Sequence, residues 1–142
     1  MPLRFTHLLA SPRTWWVLFG LWAASIVVLS SLSALPSPPE QLNFAQIDKL
    51  FHAAAYCAGS ALLCVALRLR YPWRNAVLAA VAFFAMAAFG LTDEIHQEFV
   101  PNRSGMDAGD LLADLLGTAV GIVIVLLLYA GIRLRNGRAT DR

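Results

Sequence analysis

Four long apolar stretches, separated by short polar segments, run along this chain. They cover about residues 15–35, 50–67, 75–92 and 111–132. A transmembrane helix needs about 20 mostly apolar residues, and none of these stretches shows the period of two that is typical of strands. The pattern predicts an all-α membrane protein in which four transmembrane helices form a bundle within a single domain, residues 1–142.

The first stretch has an alternative interpretation as a signal peptide. Arg4 and Arg13 precede it, and residues 31–33 include the small serines that a cleavage site favours. The stretch is longer than the apolar region of a signal peptide, about 7–15 residues, and it contains three tryptophans. A transmembrane helix is therefore the preferred interpretation.

The charged residues divide between the two ends of the predicted bundle. Only 14% of the residues are charged, against about 25% in soluble proteins, and a net charge of +2 does not indicate nucleic acid as a partner. Nine Lys and Arg residues lie at the termini and in the loop after the second stretch, whereas Lys49 and Arg103 alone lie on the other side. The positive-inside rule then places both termini in the cytoplasm of a bacterial inner membrane protein, N-in and C-in. Eight of the nine acids fall on the outer side, which that rule does not explain.

The second stretch opens with a polar stripe. At about 100° per residue, Asp48, His52, Tyr56 and Gly59 share an arc of about 80° that descends from the surface into the membrane. Structural roles are also open for these residues. Asp48 would be a helix cap or first-turn acid, His52 would make an interhelical hydrogen bond, and Lys49 would extend outward to the surface.

Polar residues also follow the third stretch. If its helix continues, Gly90, Glu94 and Gln97 share one face and His96 points roughly opposite to Glu94. A metal site built from His52, His96 and carboxylates stays open as an alternative. The chain has no dense ligand motif, so no metal ligand is assigned.

The loop and the fourth stretch add a cation and two acids. Arg103 suits a carboxylate or phosphate partner, or simply an ion pair with a nearby acid. Asp110, Asp114, Gly117 and Gly121 share an arc of about 60°, so the acids lie on the face that packs against other helices. Asp114 lies about one turn inside the membrane, where an ionisable residue is a functional hypothesis by default.

These residues carry a family resemblance. The chain resembles the VanZ-like family of small bacterial membrane proteins through two motifs between about residues 48 and 121. Where many members have Gly and Asn, this chain has Asn102 and Asp114. The motif positions are Asp48, Lys49, His52 and Tyr56, then Asp93 to Gln97, Phe99, Val100, Pro101, Arg103, Ser104, Asp110, Asp114, Gly117 and Gly121. The resemblance implies a cell-envelope protein, in a family whose named member is associated with low-level teicoplanin resistance.

The leading hypothesis is an outward-facing pocket at the bilayer edge that binds or processes an anionic lipid or a lipid-linked envelope precursor. His52 would be the general acid/base, supported by Asp48 or a fourth-span Asp. Glu94 and Asp110 would form a second carboxylate pair. Asp114 would be a buried group that keeps its proton because of desolvation. The expected substrate-binding residues are Lys49, Tyr56, Gln97, Arg103 and Ser104.

Two other classes of function stay open. The polar cluster would hold together a non-enzymatic scaffold that binds another envelope protein. Alternatively Asp114, Asp110 and His52 would form a proton relay for coupled transport, which four short spans could support only as an oligomer. The sequence does not decide whether the chain is an enzyme, and it indicates no particular cofactor.

Overall fold

The protein is a bundle of four long helices. The computed structural model describes residues 11–33, 46–103 and 105–140, with side chains as far as residue 135. In this part of the chain the helices are α1 (Pro12–Ser30), α2 (Ile47–Arg70), α3 (Asn75–Gln97) and α4 (Ala108–Thr140), and no strand occurs. Each is long and apolar enough to cross a membrane, α4 over Ala108–Arg135. The predicted all-helical, four-span architecture is confirmed, and the orientation of the termini stays a prediction.

The helix ends differ from the predicted boundaries. The prediction carried the first span to residue 35, but α1 ends at Ser30, where the hydroxyls of Ser30 and Ser31 both donate to the carbonyl of Val27. Such side-chain bonds compete with the helical backbone ladder. Residues 34 and 35 lie outside the described residues. Helices α2, α3 and α4 extend beyond the predicted apolar stretches. The polar residues at their ends continue the helical backbone hydrogen bonds.

The helices alternate in direction, which gives the bundle two chemically different ends. Ser31 Oγ lies 2.9 Å from His96 Nε2, so the C-terminal ends of α1 and α3 are neighbours. At the opposite end the Arg68 guanidinium lies 5.8 Å from the ring centre of Tyr129 on α4. We call the end with His96 and the starts of α2 and α4 the acidic end, and the end with Arg68 the basic end.

The closest helix pair is α2 and α4. A Cβ atom added at Gly117 would overlap the carbonyl oxygen of Ala53, and one added at Gly121 would overlap that of Cys57. The small-xxx-small pair thus lets the two backbones approach, as the sequence pattern predicted. Toward the basic end the core is apolar and includes Leu63, Cys64, Leu67, Leu78, Ala82, Ile122 and Val125.

Helix α1 is attached at the edge of the bundle. Ser30 is its one buried residue, and the remainder of the helix is partly or fully exposed. It contacts α2 through Trp22, whose indole N–H donates to the carbonyl of Ala55 at 3.0 Å and whose ring covers Gly59. The indole also packs against Tyr56, with ring centres 5.6 Å apart.

Candidate functional site

The polar stripe of α2 enters the bundle as predicted. Its residues become more buried along the helix, since Asp48 is exposed, His52 is partly buried, and Tyr56 and Gly59 are buried. Asp48 lies in the first turn, because the helix begins at Ile47. The predicted first-turn position of Asp48 is therefore confirmed, and Gln46 occupies the N-cap position without a side-chain capping hydrogen bond.

His52 meets the fourth helix rather than its own neighbour on α2. Its Nδ1 lies 3.0 Å from Oδ1 of Asp114, within hydrogen-bond and ion-pair distance. Glu94 of α3 completes the group, since one ligand atom from each of the three residues lies within 4.8 Å of the others. We call His52, Glu94 and Asp114 the His–Glu–Asp cluster. Of the two predicted supports for His52, the fourth-span aspartate is the one in contact.

Lys49 is held among carboxylates. Its Nζ lies 2.8 Å from Asp110 Oδ1, 3.5 Å from Asp107 Oδ2 and 3.6 Å from Asp48 Oδ2. It therefore ties α2 to the start of α4 instead of extending outward alone. The charged partner in contact with Asp110 is Lys49, and the carboxylate pair of Glu94 with Asp110 stays a prediction.

Glu94 is oriented by the loop that follows α3. Its Oε2 accepts the backbone N–H of Asp107 at 2.9 Å, and its carbonyl accepts that of Met106 at 3.3 Å. The predicted continuation of the third helix is confirmed, because α3 reaches Gln97 and buries Gly90, Glu94 and Gln97 on one side.

Several buried polar atoms of this region lack a hydrogen-bond partner among the described residues: Glu94 Oε1, Asp114 Oδ2, Tyr56 Oη and Thr118 Oγ1. Gly90 leaves room beside two of them. A Cβ atom at that position would lie 3.2 Å from Asp114 Oδ2 and 3.4 Å from Tyr56 Oη. Buried polar groups are normally paired, so these four atoms have unused hydrogen-bonding capacity within the described residues.

Arg103 contacts an amide rather than an acid. Its Nη2 donates to Gln97 Oε1 at 2.7 Å, and Gln97 Nε2 donates in turn to Asp93 Oδ2 at 2.8 Å. Among the described residues no ion pair joins Arg103 to an acid, so the simple ion-pair interpretation is not what the structure shows. The preceding Asn102 has φ 62°, a left-handed conformation that Asn tolerates better than most residues.

A cavity of about 400 Å³ opens at the acidic end between α1 and the other helices. Its polar wall contains six of the residues singled out from the sequence: Asp48, His52, Tyr56, Gln97, Arg103 and Asp110. Its apolar wall comes largely from α1 and α2 and includes Ile26, Leu29, Ile47 and Phe51. Lys49, Glu94 and Asp114 are not among its lining residues, and Ser104 lies outside the described residues.

Two acids at this end were not assigned a role from the sequence. Asp93 lines the cavity, and its spacing from Gln97, one helical turn, was the available signal. Asp107 caps α4, since its Oδ1 accepts the N–H of Gly109 at 2.6 Å and of Asp110 at 3.4 Å. The bond from Gly109 and the nearby Lys49 hold the pKa of Asp107 below its usual value. An Asp directly before a helix is the signal for such a cap.

His96 lies away from the His–Glu–Asp cluster. It is exposed, and its contact is with Ser31 of α1. The predicted opposite direction of His96 and Glu94 is thus confirmed, and the metal site that the sequence left open would need a different set of ligands from the one containing His96.

The comparisons with known proteins agree with the resemblance seen in the sequence. The family model described as VanZ/LLP1 matches residues 2–129. No curated protein and no solved structure matches the chain.

Proposed function

The chain belongs to the VanZ/LLP1 family, and on this premise we propose that it is a multi-pass envelope protein whose cavity binds or processes an anionic lipid or a lipid-linked envelope precursor. The basic end would face the cytoplasm, with both termini there, because Arg68, Arg74 and Arg133 come together at it. The acidic end and its cavity would then open on the outer side of a bacterial inner membrane.

The observation that carries this proposal is the composition of the cavity wall. One side is apolar and borders α1, whereas the other carries His52, Gln97 and Arg103. A lipid has the same division between an acyl chain and a polar headgroup. The size of about 400 Å³ is within the usual range for small-molecule sites, about 300–1,000 Å³.

Arg103 is the cation best placed to bind the headgroup. Lys49 already contacts three carboxylates, so its charge is largely compensated. Arg103 lines the cavity and is held by the neutral Gln97, which positions the guanidinium while leaving its charge available. A guanidinium also binds phosphate oxygens in a bidentate manner. This favours Arg103 over Lys49 among the predicted anion contacts.

His52 would supply proton transfer if the bound molecule reacts. It lines the cavity, and the contact of its Nδ1 with Asp114 leaves Nε2 as the nitrogen that can exchange a proton with a substrate. Tyr56 and Gln97 would orient the substrate from the same wall.

Binding of short-chain phosphatidylglycerol to the purified protein in detergent tests the proposal. We expect Arg103→Gln to weaken binding about 10- to 100-fold, since a hydrogen bond to a charged group contributes about 1.5–3 kcal/mol. Short-chain phosphatidylcholine, with no net charge, should bind more weakly than phosphatidylglycerol to the unaltered protein. The measurement is a calorimetric titration with each lipid.

The matched control is Arg70→Gln, which removes an exposed arginine of the basic end that packs over Tyr71. It should leave binding unchanged. Equal binding of the two lipids, or equal losses in the two variants, would refute a headgroup site at Arg103. If this function is linked to teicoplanin susceptibility, expressing the protein in cells should change that susceptibility. We expect the change to disappear in Arg103→Gln and to persist in Arg70→Gln.

A scaffold role is the second candidate, favoured by the ion pair of Lys49 with Asp110, which joins two helices. A scaffold predicts that variants lose function only in proportion to their loss of folded protein. The amount of folded Arg103→Gln in membranes, measured beside its phenotype, separates the two functions.

A further inference from the structure

We propose that His52, Glu94 and Asp114 form a binding site for a divalent transition-metal ion beside the cavity. Each comes from a different helix, α2, α3 and α4, so the site exists only in the folded bundle. No metal ligand was assigned from the sequence, because no two of these three residues are separated by the spacing of a metal-binding motif.

The distances between the ligand atoms fit one shared ion. Protein nitrogen and oxygen ligands lie about 2.0–2.2 Å from zinc, so two adjacent ligands of one ion are about 2.8–3.6 Å apart for angles between about 90° and the tetrahedral value. His52 Nδ1 and Asp114 Oδ1 are 3.0 Å apart, and a Glu94 oxygen lies within 4.8 Å of both residues' ligand atoms. Coordination would therefore bring the Glu94 oxygen closer to the other two ligand atoms by side-chain rotation.

A second observation, independent of the distances, points to a ligand. Glu94 and Asp114 are each 1% exposed, and each has a carboxylate oxygen without a hydrogen-bond partner among the described residues, Oε1 and Oδ2. Leaving a buried charged oxygen unpaired is costly, and a cation between the two carboxylates would remove that cost. The cluster therefore combines ligand atoms that lie close together with buried carboxylate oxygens that have no partner in the described part of the chain, as expected of a cation site.

The surroundings hold these ligands in place. Glu94 Oε2 accepts the backbone N–H of Asp107, which fixes the carboxylate and leaves Oε1 to coordinate. Metal-binding carboxylates and histidines are usually oriented by such outer contacts. The backbone donor does not depend on the Asp107 side chain.

The donor set selects the class of metal. One imidazole nitrogen and two carboxylates suit Zn²⁺ or Mn²⁺, whereas Mg²⁺ and Ca²⁺ prefer oxygen ligands alone. Three protein ligands leave at least one coordination position open, as in zinc sites that bind a substrate. Of the three ligands only His52 lines the cavity, so through His52 the ion would lie at the edge of the space proposed for the headgroup.

A bound metal ion would also offset the negative charge around the cavity. Asp48, Asp93 and Asp110 line it and would repel an anion, whereas a bound divalent ion would attract a phosphate oxygen. This headgroup role rests on the proposed function, but metal binding itself does not. In the loaded protein the ion replaces the proton between His52 and Asp114, so His52 acts there as a ligand and not as an acid/base.

Metal titration of the purified full-length protein tests the site. The protein in detergent is stripped with a chelator and titrated with Zn²⁺ and, separately, Mn²⁺. We expect one equivalent of metal per chain, together with a rise in Tm. His52→Ala and Glu94→Gln should each weaken binding by at least about 100-fold, since each removes a direct ligand and even outer contacts are worth about 10- to 100-fold.

His96→Ala is the matched control, because it removes an exposed histidine of the same end that contacts Ser31. It should keep full affinity. Glu94→Gln preserves the shape of the side chain, so a normal elution volume and a Tm that no longer responds to Zn²⁺ would distinguish lost coordination from lost fold. The proposed site would be overturned if the unaltered protein bound less than one equivalent of metal. It would also be overturned if His96→Ala weakened metal binding as much as His52→Ala and Glu94→Gln do.

Lipid binding measured in the same samples separates this proposal from the previous one. One equivalent of metal without any binding of phosphatidylglycerol would retain the metal site and refute the proposed function. The opposite result would be that the protein binds no stoichiometric metal and that phosphatidylglycerol binds equally well to the chelated protein and to Glu94→Gln. That result would retain the proposed function and refute the metal site.

Discussion

The α2–α4 pair and helix α1 are attached to the bundle in different ways. Helices α2 and α4 are joined by an ion pair of Lys49 with Asp110, by the contact of His52 with Asp114, and by the close backbone approach at Gly117. Helix α1 contacts the bundle through Trp22, which donates to the Ala55 carbonyl and covers Gly59, and its exposed face carries apolar residues throughout.

The difference reflects what holds helices together in a bilayer. Lipid chains are as apolar as Leu, so helix association depends on close packing and polar contacts rather than on the hydrophobic effect. The α2–α4 pair has both and carries two of the three residues of the His–Glu–Asp cluster. Helix α1 packs against the core with Phe19 and Trp22 and forms a wall of the cavity. We expect the pair to be the rigid part and α1 to be the part that adjusts when a lipid enters.

The largest expected effect is that of Gly117→Ala, which would break the α2–α4 pair. The added Cβ would overlap the Ala53 carbonyl oxygen, so the helices must separate. Overpacking of this kind costs about 1–3 kcal/mol, and contact with backbone leaves little room for relaxation. We expect a clear fall in Tm together with loss of metal binding, because the His–Glu–Asp cluster spans the same interface.

Gly131→Ala is the control, since a Cβ atom there meets nothing within 4 Å. It should leave Tm unchanged or raise it slightly, because Ala favours helix over Gly. Similar Tm values for the two variants would show that the α2–α4 contact is not the rigid element.

Trp22→Phe is expected to have an intermediate effect confined to α1. It removes the hydrogen bond to the Ala55 carbonyl, worth about 0.5–1.5 kcal/mol. Metal affinity should stay unchanged while affinity for phosphatidylglycerol changes, because only the cavity wall moves. Trp16→Phe, at an exposed tryptophan of the same helix, is the control for both measurements. Loss of metal binding in Trp22→Phe would contradict the separation of the two regions.

The smallest effect concerns pH and the first turn of α4. The N–H of Gly109 and the charge of Lys49 lower the pKa of Asp107 in the folded protein. A lowered pKa means that the ionised group stabilises the fold above its unfolded value, about 3.9, and that this contribution is lost as pH falls through the folded pKa.

We therefore expect Asp107→Asn to make the dependence of Tm on pH shallower below about pH 4, where the unfolded Asp titrates. Asn is an equally good cap, so the helix start should be preserved near neutral pH. Thermal unfolding at a series of pH values measures this, and an unchanged slope would show that Asp107 does not contribute.

The fold and most of the residues near the site could be predicted from the sequence, whereas their pairing could not. The sequence placed His52, Tyr56 and Asp110 on faces that turn inward, and all three line the cavity in the structure. It paired Glu94 with Asp110, and it considered His96 as a metal ligand. The structure groups Glu94 with His52 and Asp114, which the sequence did not predict, and it directs His96 to Ser31.

The sequence by itself determined the four helices, the separation of charge between their ends, and the face on which each polar residue lies. These properties follow from apolar length and from the helical repeat, which are local. Only the tertiary structure decided that His52 meets Asp114, that Lys49 meets Asp110, and that α1 forms a cavity wall. Contacts between helices depend on their relative height and rotation, and these are set by the close packing of α2 on α4 at Gly117 and Gly121, which involves residues of two separate helices.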